Sequence, residues 1–131
     1  MIKPRSNLGL AVIAIYAVLA VSCAATHPIH PGAANSFDSN SYDAVLVAHS
    51  VIETTKTDLA NNAFPASIAG QVKTALNDLI KGYNVADASY QTYHQAALSG
   101  TATAAQSTAV TSALTDLQTK TAALTAAKAA Q

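Results

Sequence analysis

One segment constrains this chain more than any other. Val72, Leu76, Leu79, Tyr83, Ala86, Tyr90, Tyr93 and Ala97 follow one another at alternating steps of four and three without a slip. A strand cannot use that spacing, because its side chains alternate with period two, whereas a helix gathers such positions into one stripe. The segment therefore predicts a long helix over about 66–99, closed by Ser99 and Gly100. Gly82 is its weak point, since an interior glycine costs about 1 kcal/mol relative to alanine. A break there would give four short helices instead of three. The stripe keeps its phase across Gly82, which favours one helix, bent at most.

The flanking segments repeat the pattern. Val110, Leu114, Leu117, Thr121 and Leu124 predict a helix over about 104–129, opened by a capping box of Thr103 and Gln106 and closed near Lys128, which suits the C-terminal dipole. Val45, Ala48, Ile52, Thr55 and Leu59 predict a helix over about 42–61. Ser41 is its expected cap, and Asp43 lies in its first turn. Asn61 and Asn62 end that helix, Phe64 clamps the turn, and Pro65 opens the next helix where a missing N–H is harmless. No β-branched, aromatic alternation follows residue 41. The expected fold class is all-α, an up-down-up three-helix bundle or an extended helical hairpin over residues 41–131, since short connections make neighbours antiparallel. The core is thin: half of the chain is hydrophobic but only 5% is aromatic, so alanine carries much of the apolar weight. Self-association is a natural source of added stability in so small a body.

The N-terminus is of another kind. Lys3 and Arg5 precede residues 8–21 (LGLAVIAIYAVLAV), an uncharged apolar run of roughly 21 Å as a helix. That is shorter than a bilayer core requires and matches the apolar part of a signal peptide. The run ends in Leu19-Ala20-Val21-Ser22-Cys23, which holds the only cysteine of the chain.

Residues 1–23 resemble the precursor of a bacterial lipoprotein, whose lipobox sets small residues before a cysteine that becomes the new N-terminus. Ser22 matches that pattern; Ala20 departs from the usual larger aliphatic residue. The resemblance implies a signal peptide over 1–22, a diacylglycerol thioether and an acylated amine (palmitate among the acyl chains) at Cys23, and a membrane partner reached through that lipid. It also implies a place in the bacterial cell envelope, at the outer membrane rather than the inner, because Ala24 is not the aspartate that retains such proteins. The mature part is similar to small helical envelope lipoproteins. Ordinary cleavage near Cys23, giving a secreted or periplasmic soluble protein, is the alternative, and an uncleaved anchor is the third. Residues 23–40, with Pro28, Pro31, Gly32 and a Ser/Asn-rich end, read as a flexible tether.

Charge narrows the function. The chain has 7 basic and 7 acidic side chains, and loss of Lys3 and Arg5 leaves 5 basic against those 7, a formal balance of −2. No nucleic-acid partner is expected from such a balance, nor attraction to anionic lipid. The acids are scattered singly, with Glu53–Lys56 and Asp78–Lys81 as ordinary surface pairs, and no phosphate loop, zinc-protease motif or nucleophile elbow is present. No enzymatic activity and no cofactor are expected. His27 and His30 are candidate metal ligands, but two imidazoles on a tether do not close a site; His49 reads as a partly exposed helix residue. Tyr83, Tyr90, Tyr93 and His94 form an aromatic group. Seam tyrosines ordinarily pack their rings inward, and the alternative is a surface for a partner. The leading expectation is a non-catalytic, lipid-anchored helical envelope protein with a structural or protein-interaction role. The second is an envelope carrier of a small ligand or metal, using His27 and His30 or a tyrosine-lined groove.

Overall fold

A computed structural model of the protein describes residues 28–130, and these form three helices and no strand. Helix α1 spans Ser36–Ala60, α2 spans Ala66–Leu98 and α3 spans Ala104–Ala129. They pack as an up-down-up bundle. Antiparallel register of α1 on α2 follows from three side-chain meetings, Asp38 with His94, Tyr42 with Tyr90 and His49 with Tyr83. Lys128, near the end of α3, reaches Thr55 and Asp58 near the end of α1.

The expected seams are the core. Val72, Leu79, Ala86, Val110 and Leu124 are 0% exposed, and Val45, Ala48, Ile52, Leu76 and Leu117 are buried beside them. Tyr83, Leu114 and Thr121 are only half-buried, and Ala113 takes the inner place beside Leu117. Alanine at 48, 86 and 113 lets the helices approach closely, at the cost of little apolar area per residue.

Helix α2 runs unbroken through Gly82, and the reason is local. A Cβ built on Gly82 would sit 2.7 Å from Cδ of Lys120, so the aliphatic stem of that lysine occupies the space a side chain would take. The ammonium group of Lys120 then turns to Asp116, at 2.6 Å. The glycine gives the lysine stem a seat on the neighbouring helix and leaves the hydrogen bonding of α2 intact.

Helix ends are closed as backbone chemistry requires. The capping box is present, with Gln106 N–H donating to Thr103 Oγ1 at 3.2 Å and Thr103 N–H donating to Gln106 Oε1 at 2.8 Å. Helices α1 and α2 each end in a Schellman turn. Asn62 (φ 53°) and Gly100 (φ 72°) take the left-handed position, and the following Ala63 and Thr101 donate back to Asp58 and Ala96. Pro65 stands just before α2, as its N-cap.

One boundary differs from expectation. Helix α1 begins at Ser36, not near Tyr42, and its cap is Asn35, not Ser41. Asn35 is extended (φ −162°), and its side chain accepts from Asp38 N–H at 2.9 Å. Ser41 lies inside the helix and is buried. Residues 36–40 are thus helix rather than tether. Residues 28–35 form a strap tied to the bundle, in which His30 N–H donates to Ser39 Oγ at 3.1 Å and Ala34 N–H donates to Asp38 Oδ2 at 2.7 Å. The expected signal peptide, Cys23 and His27 lie outside the described residues. Among the described residues no helix is long and apolar enough to cross a membrane.

Candidate functional site

The polar chemistry of the bundle gathers at one end, where α1 starts, α2 finishes and α3 starts. Its centre is Asp38, 0% exposed. As the third residue of α1 it meets the free backbone N–H groups and positive dipole of a helix start. Its carboxylate accepts from Ala34 N–H and lies 2.8 and 3.0 Å from Nδ1 of His94. A carboxylate offers only acceptors, so Nδ1 of His94 is the donor. That fixes the ring's orientation and leaves Nε2 as its remaining polar atom. The bond ties the first turn of α1 to the last turns of α2.

Aromatic rings surround this pair. Tyr90, one turn before His94, stacks on it with centroids 5.5 Å apart, and Tyr42 meets Tyr90 at 6.1 Å. Phe37 stands edge-on to Tyr93 at 5.0 Å, and the Tyr93 hydroxyl accepts from the Asn35 side-chain amide at 3.1 Å. His30, on the strap, places Nε2 2.7 Å from Asp43 Oδ1 and stands edge-on to Tyr42. A cleft of about 480 Å³ lies between residues 30–33 of the strap and Tyr42, Tyr90 and His94.

The expected aromatic group is therefore divided. Tyr90 and Tyr93 are buried, at 5% and 6% exposed, so α1 and the strap already cover most of what a partner would have met. Tyr83 sits further along α2 against the exposed His49 of α1, at 5.6 Å. His94 pairs with an acid that the sequence did not single out. Asn35, Phe37, Asp38 and Tyr42 are the additions, and the signal for them was the spacing of Asn35 and Asp38, a capping residue with an acid three positions on. His30 is brought to the cleft, but its neighbour is Asp43. Among the described residues no three His, Cys, Asp or Glu side chains converge on a metal-holding position.

Burial also acts on the Tyr90 phenol. Desolvation first, then the charge of Asp38, pushes its phenol up to about 12 from its ordinary value of 10. Tyr83 moves in the same direction through burial and Asp87. A raised phenol means that the fold favours the neutral form. That contribution is complete below the unfolded value near 10 and is lost as pH rises through about 12. In an alkaline titration followed by tyrosinate absorbance, a late step is expected near the point where helicity falls, and Tyr90→Phe should remove it. Tyrosines that all ionise together in the ordinary range while the helix signal persists would contradict the burial of this ring.

A second concavity, an open groove of about 1000 Å³, runs between α2 and α3 past Gly70, Thr74, Gly82 and Lys120. Compared with protein-family models, with curated proteins and with solved structures, the chain matches none.

Proposed function

We propose that this is a non-catalytic, lipid-anchored helical protein of the bacterial envelope, acting by holding or contacting a protein partner or a second copy of itself. One observation carries the reading. An apolar run too short to span a bilayer ends at the only cysteine, Cys23, and a helical body follows it within a short stretch of chain, its first helix starting at Ser36. A lipid on Cys23 would hold that body close to a membrane, and two or three acyl chains hold a protein there stably. The use made of the polar groups supports a non-catalytic role. Asp38 and His94 tie one helix to another, and among the described residues no buried side-chain nitrogen or oxygen lacks a partner.

The test is the intact mass of the protein from the membrane fraction of a bacterial host. The expected mass is that of residues 23–131 with a diacylglycerol and an amide-linked acyl chain, and Cys23→Ser should move the protein to the soluble fraction. A lipid-free mass from soluble material would overturn the anchor.

The cleft beside His30 and His94 favours one second reading, a carrier of a small ligand or metal. Each imidazole already has a carboxylate on one nitrogen, the arrangement that orients histidine ligands in metal sites. Titration of the mature chain with zinc or copper separates the two readings: binding no tighter than that of a bare two-histidine peptide sinks the metal version.

A further inference from the structure

Charge is distributed along the bundle axis in a way that the fold alone does not require. From residue 88 to residue 115, across the last turns of α2, the connection and the first turns of α3, there is no Asp, Glu, Lys or Arg. Residues 28–42 contain one acid, Asp38, which is buried against His94. The next, Asp43, faces His30 at 2.7 Å. Moving from this end along α3, the first lysine is Lys120, about 24 Å of helix away. All five lysines of the mature chain (56, 73, 81, 120 and 128) lie in the middle of the bundle or towards its other end.

The same uncharged end carries most of the large apolar side chains that remain exposed. Of the five among the described residues, Ile29 on the strap is 53% exposed, Tyr42 on α1 is 43% and Leu98 at the end of α2 is 54%. Leu46 of α1 and Val85 of α2 lie further along, level with each other. With the tyrosines behind them, Ile29, Tyr42 and Leu98 make a surface that is apolar with polar tips, the composition favoured at the boundary between water and lipid.

The chain outside the described residues says what lies near this surface. Pro28 lies on the strap at this end, and from Cys23 to Pro28 the chain can extend at most about 18 Å. The far end of the bundle, with its lysines, is about a further 50 Å away along α2. We propose that the strap end is the face set against the lipid surface that holds Cys23. Ile29, Tyr42 and Leu98 rest in its neutral headgroup region, and the lysine-bearing end points away from the membrane. The inference rests on the lipid anchor proposed above and adds an orientation and a contact face to it. Without lysine or arginine on that face the contact is apolar and aromatic, so anionic lipid does not strengthen it and salt does not release it.

The chain has no tryptophan, so single tryptophans report position. Full-length protein carrying Leu98→Trp, Ile29→Trp or Ala63→Trp is purified from membranes, its lipid is established by mass, and it is reconstituted into phosphatidylcholine vesicles with or without brominated acyl chains. These three sites are exposed, and Ala63 marks the opposite end, at the α1–α2 turn. Expected are blue-shifted emission and quenching by brominated lipid at 98 and 29, unchanged by high salt, with emission at 63 neither shifted nor quenched. Lipidated protein with no quenching at 98 and 29 would overturn the orientation and leave the anchor standing. A blue shift at 98 that grows with protein concentration and resists brominated lipid would overturn it too, by showing that a second copy covers the face. Protein without lipid would overturn the anchor and this inference together.

Discussion

Replacing Leu79 with alanine is expected to cost about 2–5 kcal/mol of stability, the range for deleting a buried leucine side chain. Leu79 is 0% exposed at the middle of α2, where both other helices are within reach. The core cluster that contains Leu79 also contains Ile52, Leu76 and Leu117, each already buried, so little side chain is free to move into the space. In a domain of this size each kcal/mol moves the melting midpoint by about 4–8 °C, so a fall of at least about 8 °C is expected. Leu46→Ala is the control, because Leu46 is 50% exposed and its truncation should change stability by no more than about 0.5 kcal/mol. Thermal unfolding of the chain from residue 24, followed by helical circular dichroism, reads both. If the two variants melt alike, Leu79 is not where the core is.

The burial of Leu79 is legible in the sequence, because α2 carries a stripe whose phase never slips; in α3 the same spacing finds Val110, Leu117 and Leu124, while Ala113 is buried in place of Leu114. Hydrophobic period marks the side of a helix that is buried by apolar contact, and from Val72 to Leu124 almost all burial is of that kind. The start of α1 is buried differently. Asp38, Ser39 and Ser41 are inside, at 0–2% exposed; hydrogen bonds to the strap and to α2 hold Asp38, and one to the strap holds Ser39. A polar stretch behind two prolines and a glycine reads as a tether, since its partners stand up to 58 residues away in the chain. Gly82 shows the same limit. Its role depends on the stem of Lys120, and nothing within α2 says that a lysine from another helix lies there. The pairing of Tyr90 with His94 was legible, being one turn on a single helix; the pairing of His94 with Asp38 was not.

Asp38 is therefore the residue whose loss should matter most among those that the hydrophobic pattern passes over. Asp38→Ala removes at once the acceptor for Ala34 N–H and the acceptor for His94 Nδ1–H. Leaving a buried donor unpaired costs about 1–3 kcal/mol, and here two donors lose one acceptor. The His94 side chain is 20% exposed and can recover part of its hydration, which places the expected cost in the lower part of the summed range, at about 3 kcal/mol. Asp38→Asn keeps an acceptor oxygen for one of the two donors and should lose less, about 1 kcal/mol, the difference between a charged and a neutral hydrogen bond. The order of the variants separates a specific pair from mere loss of volume, because asparagine and aspartate are nearly the same size. A double-mutant cycle with His94→Ala isolates the pair itself. If the two residues act through each other, the double variant should be more stable than the summed single losses allow, by an interaction of about 0.5–3 kcal/mol. Backbone amides of residues 28–35 should exchange faster in Asp38→Ala than in the parent, since Ala34 N–H then has no acceptor there. Strictly additive losses, with the strap amides unchanged, would mean that the carboxylate and the imidazole are neighbours without holding the strap and the two helices together.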